Sequence, residues 1–151
     1  MRARAISSAG GAGPGISRPP EGRRAALSLI DRLKNLRDQY VARQTERLRM
    51  PEFRPSPKAR RRVWFSGRVQ GVGFRIEMCL IADRLELTGW VQNLPDGRVT
   101  AEVQGEEAKI AFLLDYMGSI RRISIDSMKT EDLPVDPAEA KFMIKEDDPY
   151  V

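Results

Sequence analysis

Residues 88–104 read TGWVQNLPDGRVTAEVQ. Thr88–Asn93 and Arg98–Gln104 read as two strands, joined through Leu94-Pro95-Asp96-Gly97. Asp-Gly is a strong short-range hairpin signal because glycine takes a positive φ without strain, so the two strands are expected to pair directly. The elements on either side of this hairpin set the fold. Upstream, Arg62–Gly67 reads as a strand with Val63 and Phe65 on one face and Trp64 on the other. A Gly-containing loop, Val69–Gly73, leads into Phe74–Leu85, where Ile76, Leu80, Ile81 and Leu85 form a helical stripe. Downstream, Glu106–Met117 reads as a second amphipathic helix through Ile110, Leu113, Leu114 and Met117, stopping near Gly118. Arg122–Thr130 alternates as a strand and Lys141–Lys145 forms a short last one. The order β-α-β-β-α-β plus an extra strand predicts an α+β ferredoxin-like sandwich. Two split βαβ units with right-handed crossovers place both helices on one face of an antiparallel sheet. That fold hosts many unrelated activities and names none by itself.

Ahead of this domain the composition changes. Residues 1–20 are rich in Gly, Ser, Pro, Ala and Arg and contain no acidic residue. Such a segment buries too little apolar surface to offset its ordering entropy, and disorder is expected. The same composition also suits an organelle transit peptide. Residues 21–50 favour a helix, with Leu29, Leu33, Leu36, Tyr40 and Val41 as an apolar stripe on an Arg-rich cylinder. The stripe is open to a partner helix, the domain itself or an anionic surface. Pro51, Pro55 and Pro57 end the helix and mark residues 51–60 as a linker, leaving 61–151 as the folded domain.

Charge follows the same division. Residues 1–62 hold 16 Lys and Arg against 5 Asp and Glu, a surplus of +11, whereas residues 63–151 hold 10 against 16, a deficit of −6. The basicity of the chain therefore belongs to its leader, where an acidic partner or nucleic acid is the expected guest. The chain has no histidine, which removes Ser-His and Cys-His nucleophile pairs, His general bases and His-containing metal sites. Cys79 is the single cysteine, so neither an internal disulfide nor a Cys-cluster zinc site is available, and a small core residue is its plain reading. No apolar run approaches the ~18 residues that span a bilayer, nor is there a secretory h-region. A cytoplasmic protein is the expectation.

Chemistry concentrates in Gly67-Arg68-Val69-Gln70-Gly71-Val72-Gly73-Phe74-Arg75, between a strand and a helix. Two glycines within three residues let the backbone aim successive N–H groups into one concavity, and the following helix adds its partly positive N-terminus. Arg75 supplies a planar charged fork suited to two phosphate oxygens. A dinucleotide fingerprint fails because the third glycine is missing, and a P-loop would need Gly-Lys-Ser/Thr. An RNA-recognition platform fails because Val72 and Glu77 stand where its stacking aromatics belong. The bland alternative is a structural turn with Arg75 as a solvated first-turn residue. Asn93, likewise, suits either hydrogen bonding to a substrate water or a cap before the Pro95-Asp96-Gly97 turn.

These residues resemble the acylphosphatase family. Gly67–Arg75 is similar to the family's phosphate loop, and Gly89-Trp90-Val91-Gln92-Asn93-Leu94-Pro95-Asp96-Gly97-Arg98-Val99 to its second motif, followed by Glu102-Val103-Gln104-Gly105. The resemblance covers about Arg61–Glu146. It implies hydrolysis of acyl phosphates, carboxyl-phosphate mixed anhydrides, with broad tolerance of the acyl group. It also implies Arg75 as the phosphate-binding arginine, Asn93 as the residue orienting the nucleophilic water, and the backbone of Gln70, Gly71, Val72, Gly73 and Phe74 as the phosphate wrap. Side chains in the wrap are expected to contribute little. No cofactor, no metal and no covalent intermediate are expected, and a monomer is expected. The long leader departs from the family, whose typical member is little more than the domain. Larger carbamoyl-transferring proteins begin with a similar module but continue into Cys-rich zinc motifs lacking here. The competing reading is an inactive anion-binding domain that binds nucleic acid or an acidic partner through its leader. Trp64 and Trp90 read as packing residues, Asp83 and Glu86 as solvated helix carboxylates, and Glu106-Glu107 as helix-start acids.

Overall fold

The computed structural model describes residues 21–147, with side chains from 34 onward. The expected disorder of 1–20 and the outer part of the leader's apolar stripe, Leu29 and Leu33, lie outside the described side chains. The chain divides into two units, Met1–Lys34 and Asn35–Val151. Its elements in order are α1 (Glu21–Arg47), β1 (Lys58–Arg68), α2 (Phe74–Arg84), β2 (Thr88–Asn93), β3 (Val99–Glu106), α3 (Glu107–Ser119), β4 (Ser124–Leu133) and β5 (Phe142–Ile144).

The sheet order is β4-β1-β3-β2-β5. β1 lies antiparallel to both β3 and β4, and β2 antiparallel to β3 with Asn93 opposite Val99. The expected hairpin is therefore present. β5 runs parallel to β2, Gly89 facing Phe142, so the sheet is mixed and not purely antiparallel. A chain leaving β4 at one edge must cross the whole sheet to reach the other, and that long return sets the direction of β5.

Strand alternation explains which side carries the core. Val63, Phe65, Val91, Val99, Ala101 and Val103 point to one face and meet Met78 and Ile81 of α2 and Ile110, Leu113 and Met117 of α3, all fully buried. Each large aliphatic side chain removed from water contributes roughly 1.5–3 kcal/mol. β1 starts four residues earlier than Arg62, where the sequence placed it, and takes three consecutive arginines into the sheet. The reason is charge pairing: the buried Arg60 guanidinium lies 2.6 Å from Glu102 Oε2 and 2.8 Å from Glu139 Oε1.

The opposite face of the sheet carries an alternation of cations and indoles. Lys129 Nζ lies 5.7 Å from the Trp64 ring, Arg62 lies 5.2 Å from Trp64 and 5.7 Å from Trp90, and Lys145 Nζ lies 3.9 Å from Trp90. Such pairs each contribute about 0.5–1 kcal/mol when partly exposed. At the Arg60 end, Gln104 Nε2 donates to Asp136 O at 2.9 Å while the Asp136 N–H donates to Gln104 Oε1 at 2.7 Å. This two-way amide bond fixes the β4–β5 connection to the sheet.

Within the second unit, the C-terminal half of α1 lies on the domain through Arg37, Val41, Thr45 and the following Leu48, one face of a helix. Val41 is fully buried. Leu36 and Tyr40, part of the expected apolar stripe, are 62% and 55% exposed. Arg84 of α2 donates to Thr45 O and, at 2.7 Å, to Leu48 O, placing a cation on the carbonyl end of α1.

Candidate active site

The loop between β1 and α2 is anchored from inside. Val69, Val72 and Phe74 are buried, and the Phe74 ring meets Phe65 edge-on at 4.9 Å. With the side chains turned to the core, the backbone between them must turn outward, and Gly71 and Gly73 supply the turns with φ of 73° and 79°. A Cβ on Gly73 would be strained by the angle, and it would stand 3.2 Å from Val41 Cγ2, a tight contact, and 3.5 Å from Arg37 Cδ, an ordinary one.

The loop carbonyls are engaged behind the concavity. Val72 O accepts from Arg122 Nε at 2.8 Å, and Gly73 O accepts from the Glu77 N–H at 3.0 Å. A trans peptide holds its C=O and N–H on opposite sides, so these bonds turn the Gly73 and Phe74 N–H groups the other way. Among the described residues, the backbone N–H groups from Gln70 through Arg75 meet no protein acceptor. They coincide with the N-terminus of α2, where helix geometry leaves donors unpaired and the dipole favours negative charge.

Arg75 is the second residue of α2, and its Nη1 donates to Asp147 Oδ1 at 2.9 Å. An exposed pair of this kind is worth at most about 1 kcal/mol, so it orients the guanidinium without closing it to a stronger anion. Asn93 ends β2 on the same sheet face as Val91, the face that α2 covers. Its amide makes no hydrogen bond among the described residues. The turn is held by other groups: Leu94 N–H donates to Arg98 O at 2.8 Å, and Asp96 Oδ1 accepts the Arg98 N–H at 3.0 Å. Asn93 is not the cap of that turn.

Two connections bring the predicted residues to one end of the sheet. Gln70 Nε2 donates to Leu94 O at 2.7 Å and Arg98 O at 2.9 Å, tying the glycine loop to the β2–β3 hairpin next to Asn93. This side chain contributes more than the sequence suggested. On the other side, Lys145 N–H donates to Val91 O at 2.9 Å and Gln92 Nε2 to Glu146 O at 2.7 Å. That contact carries Asp147 to Arg75.

Glu77 and Arg122 were not singled out for the site by sequence. Glu77 is 1% exposed, pairs with the Arg122 guanidinium and accepts from Tyr116 OH at 2.8 Å. Burial and the neighbouring Glu77 carboxylate push the Tyr116 phenol well above its ordinary value, keeping it a donor. A lone carboxylate on the apolar stripe of α2, beside Phe74 and Ile81, is the sequence signal that points to Glu77. Arg122 carries no such signal.

Comparison with known proteins identifies the family. The family model described as Acylphosphatase matches residues 61–144. An acylphosphatase of Clostridium perfringens is 48% identical over 81 residues, covering 51% of this chain and 88% of the relative. One from Pseudomonas aeruginosa is 44% identical over 73 residues, covering 48% and 80%. The crystal structure of acylphosphatase from Bacillus subtilis superposes with a TM-score of 0.55 at 28% identity, over 58% of this chain and 98% of that one. The fold is thus the ferredoxin-like α+β fold of solved acylphosphatases, and the matching family is one of hydrolases. The chain belongs to the acylphosphatase family.

Proposed function

We propose that the protein hydrolyses acyl phosphates to a carboxylate and inorganic phosphate, by a positioned water, with neither a metal nor a covalent intermediate. Family membership supports the reaction. The mechanism rests on one observation: the N–H groups of the β1–α2 loop, unpaired among the described residues, adjoin Arg75 at the end of the sheet where the Asn93 amide likewise makes no bond among those residues. In this reading the loop backbone from Gln70 to Phe74 wraps the phosphoryl oxygens and Arg75 spans two of them. Asn93 hydrogen-bonds the water in line with the scissile bond. The water oxygen bonds to phosphorus, the P–O bond to the acyl group breaks, and the carboxylate leaves with the electron pair. A phosphoryl oxygen takes the proton.

The leaving group accounts for the modest machinery. A carboxylate departs readily, so most of the rate can come from alignment and from stabilising negative oxygens, and no strong protein base is needed. An amide such as that of Asn93 orients water but does not deprotonate it at neutral pH.

Phosphate release from a simple aromatic acyl phosphate, measured with EDTA present, tests the reading. The wild type is expected to turn over unaffected by the chelator, and Arg75→Ala and Asn93→Ala to lose about 10²–10³-fold in kcat. A folded wild type without turnover, or full activity in both variants, would refute it.

A further inference from the structure

We infer that Arg122 is a positioning residue for the loop: by holding Val72 O from behind, it keeps the Gly73 N–H turned toward the phosphate. The inference rests on the proposed function, which makes that loop the phosphate site.

Two peptides of the loop, those before Gly71 and before Gly73, are free to flip, because a flip is absorbed by a change in the φ of the following residue and that residue is glycine; the second is the one Arg122 touches. Its direction must be set by a hydrogen bond. Arg122 Nε provides that bond at 2.8 Å, and the guanidinium is itself fixed from two further sides. Its Nη2 pairs with the buried Glu77 carboxylate, which Tyr116 OH holds at 2.8 Å, and the Tyr40 ring centroid lies 6.0 Å away. A column of polar groups thus runs from Tyr116 on α3 through Glu77 on α2 and Arg122 to the loop carbonyl. Arg37 and Val41 of α1 fill the space beside Gly73, leaving little room for the loop to relax there. The backbone N–H groups are uniform in chemistry, so losing the aim of one weakens ground and transition state alike. The signature is a change in KM and phosphate affinity with kcat retained.

Arg122 borders a cleft of about 330 Å³ lined by Tyr40, Gln44, Glu77, Tyr116, Ile120 and Arg121, wide enough to admit free guanidinium. This gives a rescue test, and a double variant separates it from a purely structural role. Arg122→Ala is expected to raise KM for the aromatic acyl phosphate, and the half-inhibiting concentration of inorganic phosphate, by about tenfold with kcat within about twofold. Millimolar guanidinium is expected to restore both. Because Arg122→Ala strands the Glu77 charge, the double variant Glu77→Gln/Arg122→Met is compared with it. The pair of substitutions removes both charges, so it recovers stability, but it still offers no donor to Val72 O. Phosphate affinity that stays low in the stable double variant upholds the inference. Affinity that returns with stability, or an Arg122→Ala protein that folds and binds phosphate like the wild type, overturns it. If the wild type neither hydrolyses the substrate nor binds phosphate, the proposed function fails and this inference with it. If the wild type is active, Arg75→Ala is inactive and the Arg122 variants are normal, only this inference falls.

Discussion

Gln70 shows how much one side chain can hold in a loop read from sequence as mostly backbone. Its amide nitrogen makes two bonds to hairpin carbonyls, at 2.7 and 2.9 Å, across the gap between the two motifs. Gln70→Ala is expected to cost about 1–2 kcal/mol in chemical denaturation and to lower kcat/KM about tenfold, because the loop and Asn93 lose their common frame. Lowered stability with an unchanged kcat/KM would reduce Gln70 to a structural tie. The places of Arg75 at the head of α2 and of Asn93 at the end of β2 were legible because each sits in a motif whose glycines and turn residues declare the backbone around it. Glu77 shows in the sequence only as a lone carboxylate on an apolar stripe and Arg122 not at all, since their pairing is a contact between residues 45 apart, which no local spacing encodes. The Gln70 tie was hidden for the same reason: its partners are 24 and 28 residues away.

The elements were legible where burial alternates cleanly. β2 has the bounds read from sequence, and the hairpin follows from Asp96-Gly97. β1 was cut short because an Arg run reads as linker until Glu102 and Glu139 are placed opposite it. The direction of β5 was hidden because it depends on which edge the final segment reaches. α1 shows the limit of periodicity: Leu36 and Tyr40 look like a docking stripe, yet the face that packs is Arg37, Val41 and Thr45, two of them polar. Thr45 manages burial by donating its hydroxyl to Val41 O at 2.8 Å. The chain leaves α2 through the Leu85 cap and Glu86, a non-glycine residue at φ 58°, with the Leu87 N–H closing on Ala82 O at 2.9 Å. A left-handed residue at this place prefers glycine, and the Glu86 ion pair with Lys109 is exposed and long at 3.8 Å. Glu86→Gly is therefore expected to raise stability by about 0.5–1 kcal/mol with activity unchanged, as read by thermal denaturation. A fall in stability would mean that the Lys109 pair outweighs the backbone strain.

Taken as a whole, the molecule has no histidine, and its one cysteine has a thiol pushed up by burial, then by Asp83. The chain therefore lacks the side chain whose ordinary titration falls where most hydrolases show a catalytic base. The proposed mechanism predicts that kcat is flat from about pH 6 to 9, in contrast to the bell of an acid–base pair. A limb within that window would call for a protein base. Stability has a different acid limit. The Arg98 backbone N–H, and then its side chain, hold the Asp96 carboxyl below the usual carboxylate range, and Lys109 and the Ser56 N–H do the same for Glu106. Both groups have folded values depressed below the unfolded one, so their contribution is complete above about pH 5 and is lost as pH falls through the lowered values. Melting temperature is expected to decline in that acid range. The row of cations and indoles across the far face of the sheet has an optical consequence. Both tryptophans stand with their rings beside charges and on the opposite side from Asn93 and the glycine loop. Intrinsic fluorescence will therefore report the loss of the sheet on unfolding and stay silent when phosphate is titrated in, which makes this protein its own unfolding probe and obliges a binding assay to find its signal elsewhere.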